Sequence, residues 1–284
     1  LRETVARNAF CVRKKHVMRD LPILSWEVRE CAMSADQAKA YKQMATEMAV
    51  LIEAEIKKGT STEHVLTQLL RLAQITAGFI GTEESIDVHT QAVTPAQLNW
   101  FKECEGNKLS VLKELIAELS PDEKAIVWSP QIPALFHIRD ALSEYNPVIY
   151  HGTMSPDEKD AAVSKHCEDP TCRVIVANPA AAGAGLTLIG YPPGRGSEYN
   201  TDTTLMVFYS HNWSWLQRDQ AAARPHRHGT RRPVRAVDLV VPSSIDEILL
   251  DRLESKRSQA ISMVEVGDIL RDIKKALKDF KKAL

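Results

Sequence analysis

The sequence lacks several features that would assign it quickly to a class of protein. Its five cysteines include no CxxC pair, which argues against a zinc site of tight paired spacing. No apolar run approaches the ~20 residues that a membrane span requires. Neither sign of charge is in excess, because 36 Lys and Arg residues are balanced by 37 Asp and Glu residues. We therefore expect no metal site, no membrane-spanning segment and no strong overall attraction to nucleic acid.

The N-terminus, Leu-Arg-Glu-Thr, has neither an initiator Met nor an apolar leader. We expect the 284 residues to be an internal piece of a longer protein. The odd number of cysteines and the absence of a leader favour reduced thiols. They predict a cytoplasmic, intracellular location, in the nucleoid or in the nucleus if the host has one.

The apolar pattern divides the chain into three parts. Residues 1–105 are predicted to be mostly helical, residues 106–257 alternate between strand and helix patterns, and residues 258–284 have the spacing of one amphipathic helix. That last helix is basic, so it suits a protein partner or a membrane surface, or it packs on its own protein.

Two long helices are predicted in the first part. Ser34 and Gln37 form a capping box that starts a helix over 35–58. A second helix is predicted over 62–77, and residues 78–97 have no strong period and are interpreted as a loop.

The middle part predicts an α/β fold with a parallel sheet flanked by helices, because short apolar strands alternate with helical segments. The predicted strands are 124–129, 147–150, 173–177, 205–209 and 234–241. The predicted helices between and before them are 109–119, 132–145, 155–166 and 215–223, and Ser155 with Glu158 forms a capping box at the start of the third. In such sheets the chemistry collects at the carboxyl ends of the strands, where each polar loop of this sequence begins.

The strongest chemical signal is the run QAAARPHRHG, from Gln220 to Gly229. Arg224 and Arg227 are three residues apart and lie on one face if the helical turn persists. A guanidinium group has a permanent charge and a rigid fork of donors that suits phosphate oxygens. Taken alone, the pair also fits two surface or ion-paired arginines.

Three further loops follow predicted strands. The run NPAAAGAGLT begins at Asn178 and consists mostly of residues with small side chains. Such a loop can bring its backbone amides close to a phosphate, or it can form a tight turn that packing requires. The other two loops are SPQ from Ser129 and HGT from His151. Singly, each is ordinary loop chemistry, and their order along the chain carries the information.

In that order, these motifs resemble the C-terminal helicase lobe of the Swi/Snf-type superfamily 2 DNA-dependent ATPases. The run 220–229 looks like motif VI of that family, 178–188 like motif V, and 126–131 stands in the position of motif IV. The resemblance covers roughly residues 10–257, so residues 1–105 correspond to the inter-lobe linker and helical protrusion, and 106–257 to a RecA-like lobe. The compact form is typical of a phage or mobile-element member.

The resemblance implies roles for ten residues. Arg224 and Arg227 are expected to be catalytic arginine fingers that reach ATP bound on another lobe. The expected ATP-binding residues are Gln220, Gly183, Gly185 and Thr187. The expected nucleic-acid-binding residues are Ser129, His151, Gly152 and Asn178. The implied partners are double-stranded DNA and an N-terminal RecA-like lobe.

Two motif V positions depart from the family pattern, since Thr187 stands for the usual Asn or Asp and Pro179 for the usual Thr or Ser. The sequence also has no G-x-x-x-x-G-K-[ST] run and no DExH box. Those motifs hold the phosphates and Mg²⁺ in such motors. We therefore expect ATP and Mg²⁺ to bind the full-length protein, no cofactor to bind this piece tightly, and the piece alone not to hydrolyse ATP.

Two functions of different classes remain open at this point. The chain is either the second lobe of a helicase or translocase, or a motor-inactive RecA-like module that binds DNA or a protein partner. The departures in motif V favour the second function, and the intact run 220–229 favours the first.

Overall fold

A computed structural model of the chain describes residues 18, 20–58, 62–81, 98–183, 185–192 and 200–258. The helices are α1 Ala35–Lys58, α2 Thr62–Thr76, α3 Lys108–Ala117, α4 Ile132–Ala141, α5 Pro156–Glu168, α6 Trp215–Ala222 and α7 Ile245–Ser258. The strands are β1 Leu24–Glu30, β2 Phe79–Gly81, β3 Leu98–Trp100, β4 Glu123–Trp128, β5 Val148–Tyr150, β6 Val174–Ala177, β7 Asp202–Phe208 and β8 Val234–Val240. Among the described helices, none combines the length and the apolar character needed to cross a membrane.

The main sheet has six parallel strands in the order β1-β8-β7-β4-β6-β5. Its central strands are buried on both faces, which explains their nearly continuous apolar sequences. Successive side chains point to opposite faces, so Ala125 and Val127 join one apolar core while Ile126 and Trp128 join the other. The predicted parallel sheet flanked by helices, a RecA-like α/β fold, is confirmed.

One strand of this sheet contradicts the prediction from sequence. Residues 24–30 lie in the part interpreted as mostly helical, yet they form β1, which pairs in parallel with β8 from Leu24↔Val234 to Glu30↔Val240. Their sequence, LSWEVRE, alternates apolar and polar residues as a half-exposed edge strand does. The strand forms because β8 offers it a hydrogen-bonding edge more than 200 residues further along the chain.

The prediction of a loop over 78–97 is wrong at its start. Phe79–Gly81 forms β2 and pairs antiparallel with β3. Phe79 is completely buried and its ring lies 4.9 Å from that of Trp100, so burial of aromatic surface drives this small sheet. Residues 82–97 and the predicted tail helix 259–284 lie outside the described residues.

Helices α1, α2 and α7 share an apolar core of their own, which includes Tyr41, Met48 and Leu69. The capping box that starts α1 is confirmed, because the Ser34 and Gln37 side chains each accept from the other's backbone N–H. A buried ion pair joins this helical part to the sheet: Lys108 Nζ lies 2.7 Å from Asp246 Oδ2. The two side chains are 2% and 1% exposed, so the junction excludes water.

Gly190 permits a close approach of two backbone segments. Its φ is +94°, and a Cβ placed there would lie 2.5 Å from the backbone nitrogen of Thr203. We expect Gly190→Ala to lower the free energy of unfolding by about 1–3 kcal/mol, through the strained φ and the clash. Urea denaturation of the chain measures this loss. Gly152→Ala is the control, because a Cβ there meets nothing within 4 Å, and an equal loss in both variants would contradict the explanation.

Candidate functional site

The loops that follow β4, β5 and β6 meet at the carboxyl edge of the sheet. Asn178 joins all three, since its backbone N–H donates to the Tyr150 carbonyl at 2.9 Å and its side-chain amide donates to the Pro130 carbonyl at 2.9 Å. The Asn178 side-chain oxygen also accepts from Ala180 N at 2.8 Å. Both the donors and the acceptor of this amide are therefore used to shape the loops.

Ser129 was predicted to bind nucleic acid, but its side chain is buried where DNA could not contact it directly. Its side chain is completely buried, and its hydroxyl lies 3.1 Å from Gln131 Oε1. Ser129 belongs to the same edge as Asn178, because its backbone N–H donates to the Ala177 carbonyl at 3.1 Å. In this conformation the Ser129 hydroxyl orders the start of α4 and does not face solvent.

The surface beside these loops is formed by His151, Gly152 and the first turn of α5. Gly152 is exposed, and its carbonyl accepts from Lys159 Nζ at 3.1 Å. The His151 ring is mostly buried, with Nδ1 2.8 Å from Thr153 Oγ1. Burial lowers the pKa of His151, and the neighbouring Lys159 lowers it further, so the imidazole is favoured in its neutral form.

Lys159 is therefore the cation of this surface, and the sequence analysis did not select it. It stands at the exposed end of α5, whose capping box of Ser155 and Glu158 is formed as predicted. The signal for Lys159 in the sequence was its position one turn after that cap. Only the fold shows that this position faces Gly152.

Arg224 and Arg227 converge on one backbone oxygen. Their Nη1 atoms donate to the carbonyl of Leu186 at 3.3 and 2.9 Å, respectively. The backbone carbonyl of Arg224 in turn accepts from Leu188 N at 3.2 Å. The loop after β6 and the end of α6 are thus tied together at the two residues that the sequence analysis identified as fingers.

Burial and the neighbouring positive charge of Arg227 both lower the pKa of Arg224. Arg224 is 9% exposed, whereas Arg227 is half-buried and forms no ion pair with any described residue. Each guanidinium group has five N–H donors, and the Leu186 carbonyl occupies one from each. Two like charges held together in this way are an electrostatic arrangement that attracts an anion.

The segment after α6 is held rigid by Thr230 and Gly229. The Thr230 hydroxyl accepts from Arg227 N at 3.0 Å and lies 2.7 Å from the carbonyl of Pro225. Gly229 has a φ of +99°, and a Cβ there would approach Ile189 Cδ1 at 3.1 Å. These contacts fix the backbone at Arg227 before any ligand binds, which reduces the entropy lost on binding.

The other predicted nucleotide-contacting residues lie on α6 and in the loop after β6. Gln220 lies on α6, one turn before Arg224, and is half-buried. Gly183 ends a short 3₁₀ turn, Ala181–Gly183, against which α6 packs. Gly185 is exposed with a φ of +69°, and Thr187 uses its backbone carbonyl to accept from the Cys167 thiol at 3.9 Å. Of this loop, Leu186 and Leu188 are the residues that the described hydrogen bonds join to the arginines.

The donor set fits a phosphate group. The arginines supply fixed positive charge, and Gly185 leaves an open backbone without a side chain. These groups can stabilise negative charge.

The chain is similar in sequence to several known proteins. No family model matches the chain. Among curated proteins it is similar to "Probable ATP-dependent DNA helicase CHR12" of Arabidopsis thaliana, with 23% identity over 259 residues covering 90% of this chain and 22% of the relative. It is also similar to "Chromodomain-helicase-DNA-binding protein 1-like" of Mus musculus, with 26% identity covering 89% of this chain and 26% of the relative. The chain spans about a quarter of the length of these relatives.

Solved structures show the same fold. The C-terminal part of the Fun30 ATPase domain matches with a TM-score of 0.65 and 14% identity, over 93% of this chain and 99% of the other. The Sulfolobus solfataricus SWI2/SNF2 ATPase core in complex with dsDNA matches with a TM-score of 0.58 and 23% identity, over 86% and 46%. These relatives are helicases by name and one of the solved structures is a SWI2/SNF2 ATPase core, so the resemblance seen in the sequence is confirmed.

Proposed function

We propose that this chain is the second motor lobe of a DNA-dependent ATPase, and that Arg224 and Arg227 contact the phosphates of ATP held by a first lobe. One observation carries the proposal: the Leu186 carbonyl accepts from both guanidinium groups, which holds two fixed positive charges together beyond the end of α6. ATP and Mg²⁺ would be bound by the first lobe, and ATP supplies the phosphoryl group that is transferred to water. This chain's part is to hold positive charge where the transferring group becomes more negative.

The second half of the proposal concerns DNA. The exposed backbone of Gly152 and the ammonium group of Lys159 form a surface suited to the phosphate backbone of a duplex. Ser129, His151 and Asn178 support that surface from beneath, since their side chains are engaged with neighbouring loop atoms. We assign these three as positioning residues and Gly152 and Lys159 as the contacting ones.

Lys159→Ala is expected to weaken binding to duplex DNA about fivefold at physiological salt, and to lower the slope of log K against log salt by about one unit. Filter binding or fluorescence anisotropy at several salt concentrations measures both quantities. Lys165→Ala is the matched control, because Lys165 lies at the other end of α5 and donates to Asn146 Oδ1. Equal effects of the two changes would mean that Lys159 contributes only general charge.

The proposal as a whole is tested by the parent protein that carries both lobes. DNA-stimulated ATP hydrolysis that depends on the arginines is the expected result. The alternative function, a motor-inactive module that binds DNA or a protein partner, rests on Pro179 and Thr187 in the loop after β6. It predicts salt-dependent DNA binding without hydrolysis, and no effect of the arginines on that binding.

A further inference from the structure

A groove of about 620 Å³ runs along the edge of the sheet, on the opposite side of α6 from residues such as Gln220. We call it the β1 groove, because β1, α6 and α7 form its walls. Its apolar lining includes Trp26 and Val28 of β1, Trp215 of α6 and Leu253 of α7. None of the roles proposed above uses this groove.

The floor of the β1 groove is built around one arginine. Both oxygens of Asp238 accept from Arg218 Nη2, at 2.7 and 2.6 Å. The guanidinium group lies beside two rings that stack on each other, 4.2 Å from the centroid of Phe208 and 4.7 Å from that of Trp26. The charge of Arg218 is therefore neutralised within the floor and does not repel a positively charged occupant.

The groove exposes apolar surface and is bordered by acids. Trp26 is 39% exposed and Val28 is 51% exposed. Contact of these apolar side chains with water is unfavourable, and burying them under an occupant would remove it. Three further carboxylates line the walls: Asp219, Glu254 and Glu27, of which Glu27 already pairs with Arg29. An occupant that is apolar on one side and cationic beside it would complement this surface.

The sequence of the tail has these properties. At 100° per residue, its apolar side chains fall on one stripe: Ile269, Leu270, Ile273, Leu277, Phe280 and Leu284. Lys274 and Lys281 flank this stripe on one side, and Asp272 and Asp279 flank it on the other, so only the lysine side complements the carboxylates of the groove. The tail continues directly from α7, whose Leu253 and Glu254 already line the β1 groove. The nine residues 259–267 can span up to about 30 Å, so the groove is within reach.

We infer that residues 268–284 bind in the β1 groove of the same chain, as an amphipathic helix with its apolar stripe against Trp26, Val28 and Leu253. Lys274 and Lys281 then lie near the carboxylates of the walls. Binding of this kind is the helix-in-groove mode, with anchors one turn apart. It covers the exposed face of β1 and holds the tail beside α6.

Zero-length carbodiimide cross-linking of the full chain, read by mass spectrometry, tests the inference. The expected products join Lys274 or Lys281 to Glu27, Asp219 or Glu254. Replacing Ile273, Leu277 and Phe280 by serine removes most of the stripe and keeps both lysines. The yield of these products should fall at least tenfold, because burial of each of these side chains is worth about tenfold or more in the binding constant. The matched control replaces Lys275, Lys278 and Lys282 by serine on the opposite side, and it should retain the products.

Three results would overturn the inference. Unchanged cross-linking in the Ile273, Leu277 and Phe280 variant would show that the apolar stripe is not the anchor. Products that join Lys14 or Lys15 to the groove, with none from the tail, would assign the groove to the segment 1–17. In a mixture of ¹⁵N-labelled and unlabelled chains, products of mixed isotope content would show that the tail binds a second copy.

Discussion

Arg227→Ala is expected to reduce DNA-stimulated ATP hydrolysis about 10³–10⁵-fold in a protein that carries both lobes, with ATP binding largely retained. The reason is differential stabilisation: a fixed guanidinium group interacts more strongly with the charge of the transferring phosphoryl group than with ATP in its ground state. Arg227 is held for this task by its bond to the Leu186 carbonyl and by Thr230 at its backbone. Steady-state kcat and KM for ATP, measured at saturating DNA, separate the two effects.

Arg232→Ala is the control for Arg227→Ala. Arg232 lies five residues further along, is 40% exposed and pairs with Asp122 at 3.0 Å, so its loss should change the rate by no more than about twofold. Arg227→Lys keeps the charge and loses the planar fork, and we expect it to recover only a small part of the rate. A protein that folds, binds DNA and hydrolyses ATP normally with alanine at position 227 would remove Arg227 from the mechanism.

Lys108→Met is expected to lower the free energy of unfolding by about 3–5 kcal/mol, the typical loss when one partner of a buried ion pair is removed. Asp246 would keep its charge in a site that is 1% exposed. Its remaining partners, the Thr76 hydroxyl at 2.9 Å and the Val241 N–H at 3.2 Å, are neutral. Denaturant unfolding of the full chain, with the slope checked for two-state behaviour, measures the loss.

The same helix provides the control for Lys108→Met. Lys113 of α3 pairs with Glu103 at 2.8 Å, but these side chains are 40% and 47% exposed, so Lys113→Met should cost less than about 1 kcal/mol. Adding Asp246→Asn to Lys108→Met removes the unpaired charge and keeps an acceptor for Thr76. We expect this double variant to be more stable than Lys108→Met alone. If the two lysine variants lose equal stability, burial of the pair is not what makes Lys108 important.

Local signals in the sequence predicted much of the fold correctly. The capping boxes at Ser34 and Ser155 fixed where α1 and α5 begin, because a cap is made by residues three apart. The apolar runs of β4 and β8 predicted strands buried on both faces. The spacing of Arg224 and Arg227 predicted a shared face only if the helical turn persisted, but α6 ends at Ala222, so their shared contact with the Leu186 carbonyl is what brings them together.

Contacts between residues far apart in the chain were not predicted from the sequence. β1 was assigned to a helical segment, because its partner β8 lies more than 200 residues away. Ser129 was selected for its hydroxyl, yet packing buries that group completely. The contact of both arginines with Leu186 could not be predicted from residue types, because they donate to a backbone carbonyl and every residue has one.

The sequence by itself determined which residue types are available to this protein: the paired arginines, the small-residue loop and the helix caps, all defined by neighbours along the chain. The tertiary structure alone decided which of them face a ligand. The ion pair of Lys108 and Asp246, the position of Lys159 beside Gly152 and the convergence of two arginines on one oxygen all depend on packing across the sheet. Burial, and therefore electrostatic strength, is a property of the folded interior, and no short stretch of sequence contains it.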